Sequence, residues 1–213
     1  YFTQLAQEKR EQPSDDLLST LVQAEINGAP LSPLDLLSYC YLLCIAGNET
    51  TRNTTSGGLL ALIEHPDQLA LLRADPDLLP SAVEEILRYV SPVIHFARVV
   101  TRDTELGGVS IPAGDRVVMF YPSANRDADI FPEPDRFDIT RAPNDHLAFG
   151  GFGEHYCLGA NLARLQLRTI FRHLLERLDD IELDGPPERL RSGFVGGIKR
   201  LPIRYTALEG GAG

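Results

Sequence analysis

Phe149-Gly150-Gly151-Phe152-Gly153-Glu154-His155-Tyr156-Cys157-Leu158-Gly159-Ala160 is the stretch on which the reading of this chain turns. Glycines at 150, 151, 153 and 159 surround one cysteine. Lacking a Cβ, they allow close approach to a flat partner and φ > 0 conformations. The sequence from Leu158 to Leu178 reads as a helix, so the Cys157 sulfur lies at or just before a helix N-terminus. Free N–H groups and the positive end of the dipole suit a thiolate there. A thiolate on a glycine loop, backed by a helix, is a suitable axial ligand for haem iron. The plainer alternative is a buried, inert small hydrophobe, the commoner fate of cysteine.

Upstream, Ser32-Pro33-Leu34-Asp35 reads as a helix start, with Ser as N-cap, Pro at the first helical position and Asp in the first turn. Helical character runs to about Glu64. In its middle stands Ala46-Gly47-Asn48-Glu49-Thr50-Thr51. Ala46 and Gly47 leave room for a ligand against the helix, and a mid-helix Gly costs about 1 kcal/mol. Glu49 beside Thr50 sets an acid next to an alcohol, as proton delivery requires, and Thr can back-bond a carbonyl one turn earlier. On an ordinary helix, Glu49 would simply be solvated and Thr50 would only back-bond. Further on, Ser81 and Glu84 have capping-box spacing. Glu85 and Arg88 lie three apart on one helix face, where a surface ion pair is the plain reading.

Together these segments resemble the cytochrome P-450 family. Its haem loop usually reads Phe-x-x-Gly-x-x-x-Cys-x-Gly, which Gly153, Cys157 and Gly159 fit, with His155 at a common basic position. Phe149 lies one residue early, so either the loop carries an extra residue or Phe152 supplies the ring. Members acting on sterols and methyl-branched lipids look similar here, at Gly159-Ala160-Asn161-Leu162-Ala163-Arg164 and at Gly197-Ile198-Lys199-Arg200. The resemblance implies haem b held by Cys157, with Thr50 bonding dioxygen and Glu49 relaying protons. It implies that Glu85 and Arg88 are buried, joined by Arg136 from the Pro-rich segment Phe131 to Phe137, and hold the cysteine loop in shape. It places Arg98, in Ser91-Pro92-Val93-Ile94-His95-Phe96-Ala97-Arg98, at a haem propionate with help from His155, and puts Val93, Ile94, Phe194 and Val195 around the substrate. As isolated apolar residues those four would be core, and Arg98 an exposed strand-edge charge.

The implied fold is mainly α with small β sheets (α+β), the C-terminal half of the P-450 fold. The resemblance implies that residues 1–213 are a single incomplete domain, the C-terminal haem-binding portion, with the N-terminal half absent. On that expectation the 213 residues alone hold haem weakly or not at all, and pair with a second copy or with the missing half. The implied activity is insertion of one oxygen atom from O2 into a C–H bond of a hydrophobic small molecule, with a sterol or branched lipid as the implied substrate class. Electrons would come from a ferredoxin and ferredoxin reductase. A rival of another class is a non-catalytic haem-thiolate-like fragment serving as a binding or scaffold piece. Haem in the purified chain separates the two.

Composition bounds the rest. The 213 residues suffice for one domain with a sizeable core. A formal net charge of −10 argues against nucleic acid. The longest apolar run, Tyr39 to Ala46, is too short for a membrane span. Three cysteines without paired spacing suit a reducing, cytoplasmic setting. Cys40 and Cys44 read as helix core, and a zinc site lacks a tetrahedral set at usual spacing. Arg164, Arg168 and Arg172 read as a basic stripe on the helix after Cys157, suited to an acidic ferredoxin or, as plainly, to solvent. Gly107-Gly108 reads as a hairpin turn, 124–140 as irregular, and Gly210 to Gly213 as a disordered tail.

Overall fold

The structure is a computed structural model that describes residues 1–208, so the expected disorder of Gly210 to Gly213 lies outside the described residues. The chain divides into two compact units, Tyr1–Glu49 and Thr50–Gly213. The first holds α1 (Phe2–Glu11), α2 (Leu17–Gln23), the short strands β1 (Glu25–Ile26) and β2 (Ala29–Pro30), and the opening part of α3 (Pro33–Glu64). Asp16 caps α2, accepting the Ser19 N–H at 2.7 Å. Ser32 caps α3 as its sequence predicts: its Oγ accepts the Asp35 N–H at 3.1 Å and donates to Asp35 Oδ2 at 2.6 Å. Ala6, Leu36 and Cys40 form a small core, flanked by Phe2, Leu18, Leu21, Val22 and Leu31. Cys44, one turn beyond Cys40, is exposed and does not share that core.

The second unit begins with the rest of α3. It continues through α4 (Pro66–Ala74), α5 (Leu79–Val90), β3 (His95–Val99), β4 (Thr104–Leu106), β5 (Val109–Ile111), β6 (Arg116–Phe120) and α6 (Tyr121–Ala124). The Pro-rich stretch and the cysteine loop follow without regular elements. Then come α7 (Ala160–Arg177), β7 (Leu178–Leu183), β8 (Glu188–Arg189), β9 (Ile198–Arg200) and β10 (Ile203–Ala207). Among the described residues every sheet is a two-stranded antiparallel ribbon: β1–β2, β3–β6, β4–β5, β7–β10 and β8–β9. The β4–β5 hairpin turns on Gly107 and Gly108 at φ 58° and 78°, a left-handed pair that residues with a Cβ rarely adopt.

The core of this unit is built from α3, α4, α5, α7 and the irregular stretch. Leu62, Leu72, Val83, Ile86, Phe137, Ile139, Leu167 and Phe171 are all buried in it. Gly58 makes the approach of α3 possible: a Cβ there would lie 2.5 Å from Ile86 Cγ2 and 2.8 Å from Phe171 Cζ. The capping box expected at Ser81 and Glu84 does not form. Residues Pro76–Leu78 make a 3₁₀ turn and Pro80 sits in the first helical turn, so α5 starts at Leu79. Ser81 thus lies inside the helix and donates its hydroxyl to the Leu78 carbonyl at 2.9 Å.

Candidate active site

The cysteine loop is held by its own backbone. Gly150 N–H donates to Leu147 O at 2.9 Å, Tyr156 N–H to Gly153 O at 3.0 Å, and Cys157 N–H to Phe149 O at 3.0 Å. Gly150 and Gly153 take φ of 85° and 110°, the left-handed region that the sequence reserved glycine for. The Cys157 carbonyl accepts the Ala160 N–H at 3.2 Å, which leads the chain into α7. Cys157 is half-buried, and a Cβ on Gly159 would stand 4.0 Å from its sulfur. The two candidate rings differ in burial. Phe149 is buried in the core, whereas Phe152 is fully exposed at 109%, as is Leu158 at 86%.

Glu85 and Arg88 are both fully buried on α5, and Arg88 grips the Glu85 carboxylate through Nε and Nη2, each at 2.8 Å. The rest of the Arg88 fork donates to the carbonyls of Asn125 (2.7 Å), Pro134 (2.7 Å) and Arg136 (3.0 Å). The side chain expected to join them, Arg136, does not. It is exposed and pairs with Glu133 at 3.2 Å, so only its carbonyl takes part. Arg141 takes the place instead. Its Nε lies 3.2 Å from Glu85 Oε2, and its Nη atoms donate to the carbonyls of Pro132, Glu133 and Arg136. A turn closed by Arg141 N–H on Asp138 O at 3.1 Å brings Arg141 back over α5. Glu85 also accepts Asp138 N–H at 2.9 Å and Asn144 Nδ2 at 3.1 Å. These contacts hold residues 125–144 directly, and Asn125, gripped by Arg88, accepts the Leu147 N–H at 2.7 Å just before the cysteine loop.

Glu84, which its sequence marked only as a helix cap, binds residues on both flanks of the loop. Its carboxylate takes Arg164 Nε at 2.7 Å, Arg164 Nη2 at 2.8 Å and His146 Nε2 at 3.0 Å. Burial opposes the charged carboxylate most, but these hydrogen bonds and the Arg164 charge outweigh it and hold Glu84 at about 2. The Arg164 guanidinium also lies over the Phe149 ring, 4.5 Å from its centroid. Arg164 is therefore spoken for and leaves the predicted basic stripe. Arg168 is half-buried and folds back to donate to Arg164 O at 3.2 Å, which leaves Arg172 exposed.

The apolar candidates are brought together. Val93 and Val195 form an antiparallel bridge, and Ile94 N–H donates to Phe194 O at 2.9 Å. Behind them, Gly197 lies against the buried Asn53 of α3, where a Cβ would stand 2.5 Å from the Asn53 Oδ1. Arg98 is exposed on β3 and donates to Ala97 O at 3.0 Å, and His155 is exposed on the loop. On α3, hydroxyls of Thr54, Thr55 and Ser56 back-bond the carbonyls of Thr50 (2.8 Å), Thr51 (2.8 Å) and Arg52 (3.1 Å). That run of competing bonds follows the Ala46–Thr51 motif directly.

Comparison with known proteins decides what this loop belongs to. The family model described as cytochrome P-450 matches residues 1–204. This chain belongs to the cytochrome P-450 family.

Among P-450 relatives, a steroid C26-monooxygenase of Rhodococcus jostii is 46% identical over 211 residues, covering 99% of this chain and 44% of the relative. A methyl-branched lipid omega-hydroxylase of Mycobacterium tuberculosis is 47% identical over 207 residues, covering 97% of this chain and 48% of the relative. The crystal structure of CYP108D1 from Novosphingobium aromaticivorans superposes with a TM-score of 0.91 at 46% identity, covering 98% of this chain and 50% of that one. The chain spans about half the length of the P-450 proteins it matches. Mainly α with small sheets, it has the P-450 fold over that span. Among the described residues, no helix is long and apolar enough to cross a membrane.

The family implies haem, and the residues present fit it. Cys157 offers one sulfur from a loop with left-handed glycines, flanked by the exposed apolar side chains of Phe152 and Leu158. Cys157 would hold the iron of such a group, with Phe152 and Leu158 as apolar neighbours, because a porphyrin would already supply the iron's other ligands. A bare zinc ion would instead need about four protein ligands at a structural site.

Proposed function

We propose that this chain serves in a haem-thiolate monooxygenase that hydroxylates an aliphatic C–H bond of a hydrophobic substrate. The observation that carries the reading is the Cys157 loop: a half-buried sulfur whose backbone N–H is fixed on Phe149 O, set between exposed apolar side chains. Haem b, when bound, supplies the iron that takes up O2 and electrons. Cys157 is its ligand, and Arg98 and His155 are the cations proposed for its propionates. Thr50 and Glu49 are proposed to hold and pass protons from α3, with Ala46 and Gly47 leaving room beside them; these four roles rest on their motif.

Val93, Ile94, Phe194 and Val195 converge through the 93–195 bridge and are proposed to line the substrate's apolar part. The relatives named for steroid C26 and for methyl-branched lipid oxidation support a branched hydrocarbon chain end as the reacting group. An acidic ferredoxin is the proposed electron donor. The test is Cys157→Ala in the haem-loaded protein. It should abolish the thiolate-type absorption of the reduced CO complex, whereas Cys40→Ala and Cys44→Ala should keep it. A thiolate-type spectrum in Cys157→Ala would overturn the assignment.

A further inference from the structure

We propose that Glu84, His146 and Arg164 form a positioning set for the Cys157 loop, in addition to the Glu85–Arg88 pair, which meets the loop's approach through Asn125 and Leu147. The inference rests on reading Cys157 as the haem ligand, but it concerns how the loop is held, not what it ligates.

Two consecutive carboxylates on α5 serve two consecutive stretches of chain. Glu85 gathers Arg88, Asp138 N–H, Arg141 and Asn144, all within the irregular stretch or its helix. Glu84 gathers the two flanks of the cysteine loop: His146, three residues before Phe149, and Arg164, seven residues after Cys157. Between these flanks sits the Phe149 ring, under the Arg164 guanidinium and 6.0 Å from the His146 ring centroid. The Phe149 carbonyl in turn accepts the Cys157 N–H. Restraint on Phe149 thus passes to the backbone of Cys157 through one hydrogen bond. Arg164 Nη1 also reaches Tyr156 Oη, at 3.5 Å, on the residue next to the cysteine.

The chemistry requires a carboxylate. All three groups facing Glu84 are N–H donors: Arg164 Nε on Oε1, Arg164 Nη2 and His146 Nε2 on Oε2. An amide at this position would turn its NH2 toward at least one of them, donor against donor. His146 cannot relieve the clash by changing tautomer, because its Nδ1 already accepts the Ala148 N–H at 3.2 Å. The ring is buried, 3% exposed, so water does not substitute for the lost partner. Arg164 meets Glu84 with two parallel N–H bonds, a fork that lysine cannot reproduce.

The experiment compares Glu84→Gln, Arg164→Lys and Glu84→Asp with the parent, all as the haem-loaded protein. Amide exchange is followed at Cys157 and across α4, and the absorption of the reduced CO complex is recorded. Glu84→Gln should speed exchange at Cys157 by about tenfold or more beyond any change across α4. It should also lose part of the thiolate-type absorption, and Glu84→Asp, which keeps the charge, should recover part of both. Glu188→Gln, which breaks an exposed pair with Lys199, should change neither. Exchange at Cys157 and absorption both unchanged in Glu84→Gln would overturn the proposal. So would equal acceleration at Cys157 and α4, which would mean that Glu84 only supports global stability. If Glu84→Gln does not fold, Arg164→Lys is read by the same criteria. Failure of the haem-ligand reading shows separately, as a thiolate-type spectrum surviving in Cys157→Ala, and the exchange result at Cys157 still decides the clamp.

Discussion

At the scale of single residues, the buried Glu85 decides which arginines matter. A carboxylate with no solvent contact must have its charge and lone pairs met by the protein. Arg88 and Arg141 do so, and Arg136 does not. Arg141→Ala should therefore destabilise the fold by about 2 kcal/mol, the scale of hydrogen bonds to a buried charge. Arg136→Ala should stay within about 0.5 kcal/mol, as exposed pairs do. Denaturant unfolding of both variants checks this, and equal effects would contradict the geometry. The sequence pointed to the right Pro-rich stretch but to the wrong arginine. Arg136 lies in it and Arg141 just beyond it, and only the turn at Asp138 determines which one folds back over α5.

At the scale of elements, helix packing rests on one missing side chain. Gly58→Ala places a methyl against Ile86 and Phe171, so α3 must move from α5 and α7. A cost of about 1–3 kcal/mol is expected, although alanine is the better helix former. A rise in melting temperature would show that the contact relaxes freely. The α5–α7 tie through Glu84 has a pH signature. Its carboxyl titrates at about 2 in the fold against an ordinary 4.5, so it adds stability above about pH 4.5 that is lost as pH falls toward 2. Glu84→Gln should be less stable than the parent at pH 7, and the difference should shrink through that acid window. A gap independent of pH would mean that the charge contributes nothing.

At the scale of the whole molecule, the chain is acidic, with a formal net charge of −10, and an exposed cation on α7 stands out against it. Of the three arginines spaced four apart along that helix, Arg164 is engaged with Glu84 and Arg168 turns back onto the helix. Of those three, Arg172 is exposed to a negatively charged partner. In the haem-loaded protein Arg172→Glu should slow the first electron transfer from an acidic ferredoxin and flatten its dependence on salt. A rate and salt slope equal to the parent's would make Arg172 ordinary solvated surface.

What the sequence determined by itself are the features written in local chemistry. The glycines around Cys157 announce a loop with left-handed backbone, and Ser32-Pro33 announces the start of a long helix. Gly107-Gly108 announces a hairpin, because each of these residues is there for the conformation of its own backbone. The buried state of Glu85 and Arg88 came from family resemblance, since Glu-x-x-Arg spacing reads equally as a surface pair. Only the tertiary structure decided the long-range partners: Arg141 over Arg136, Glu84 with His146 and Arg164, Asn53 against Gly197, and the 93–195 bridge. Those partners lie tens of residues apart, and nothing local distinguishes a carboxylate that will be met by an arginine from its neighbour in water. Burial makes that distinction, because removing a charge from solvent leaves the fold to supply every hydrogen bond it needs.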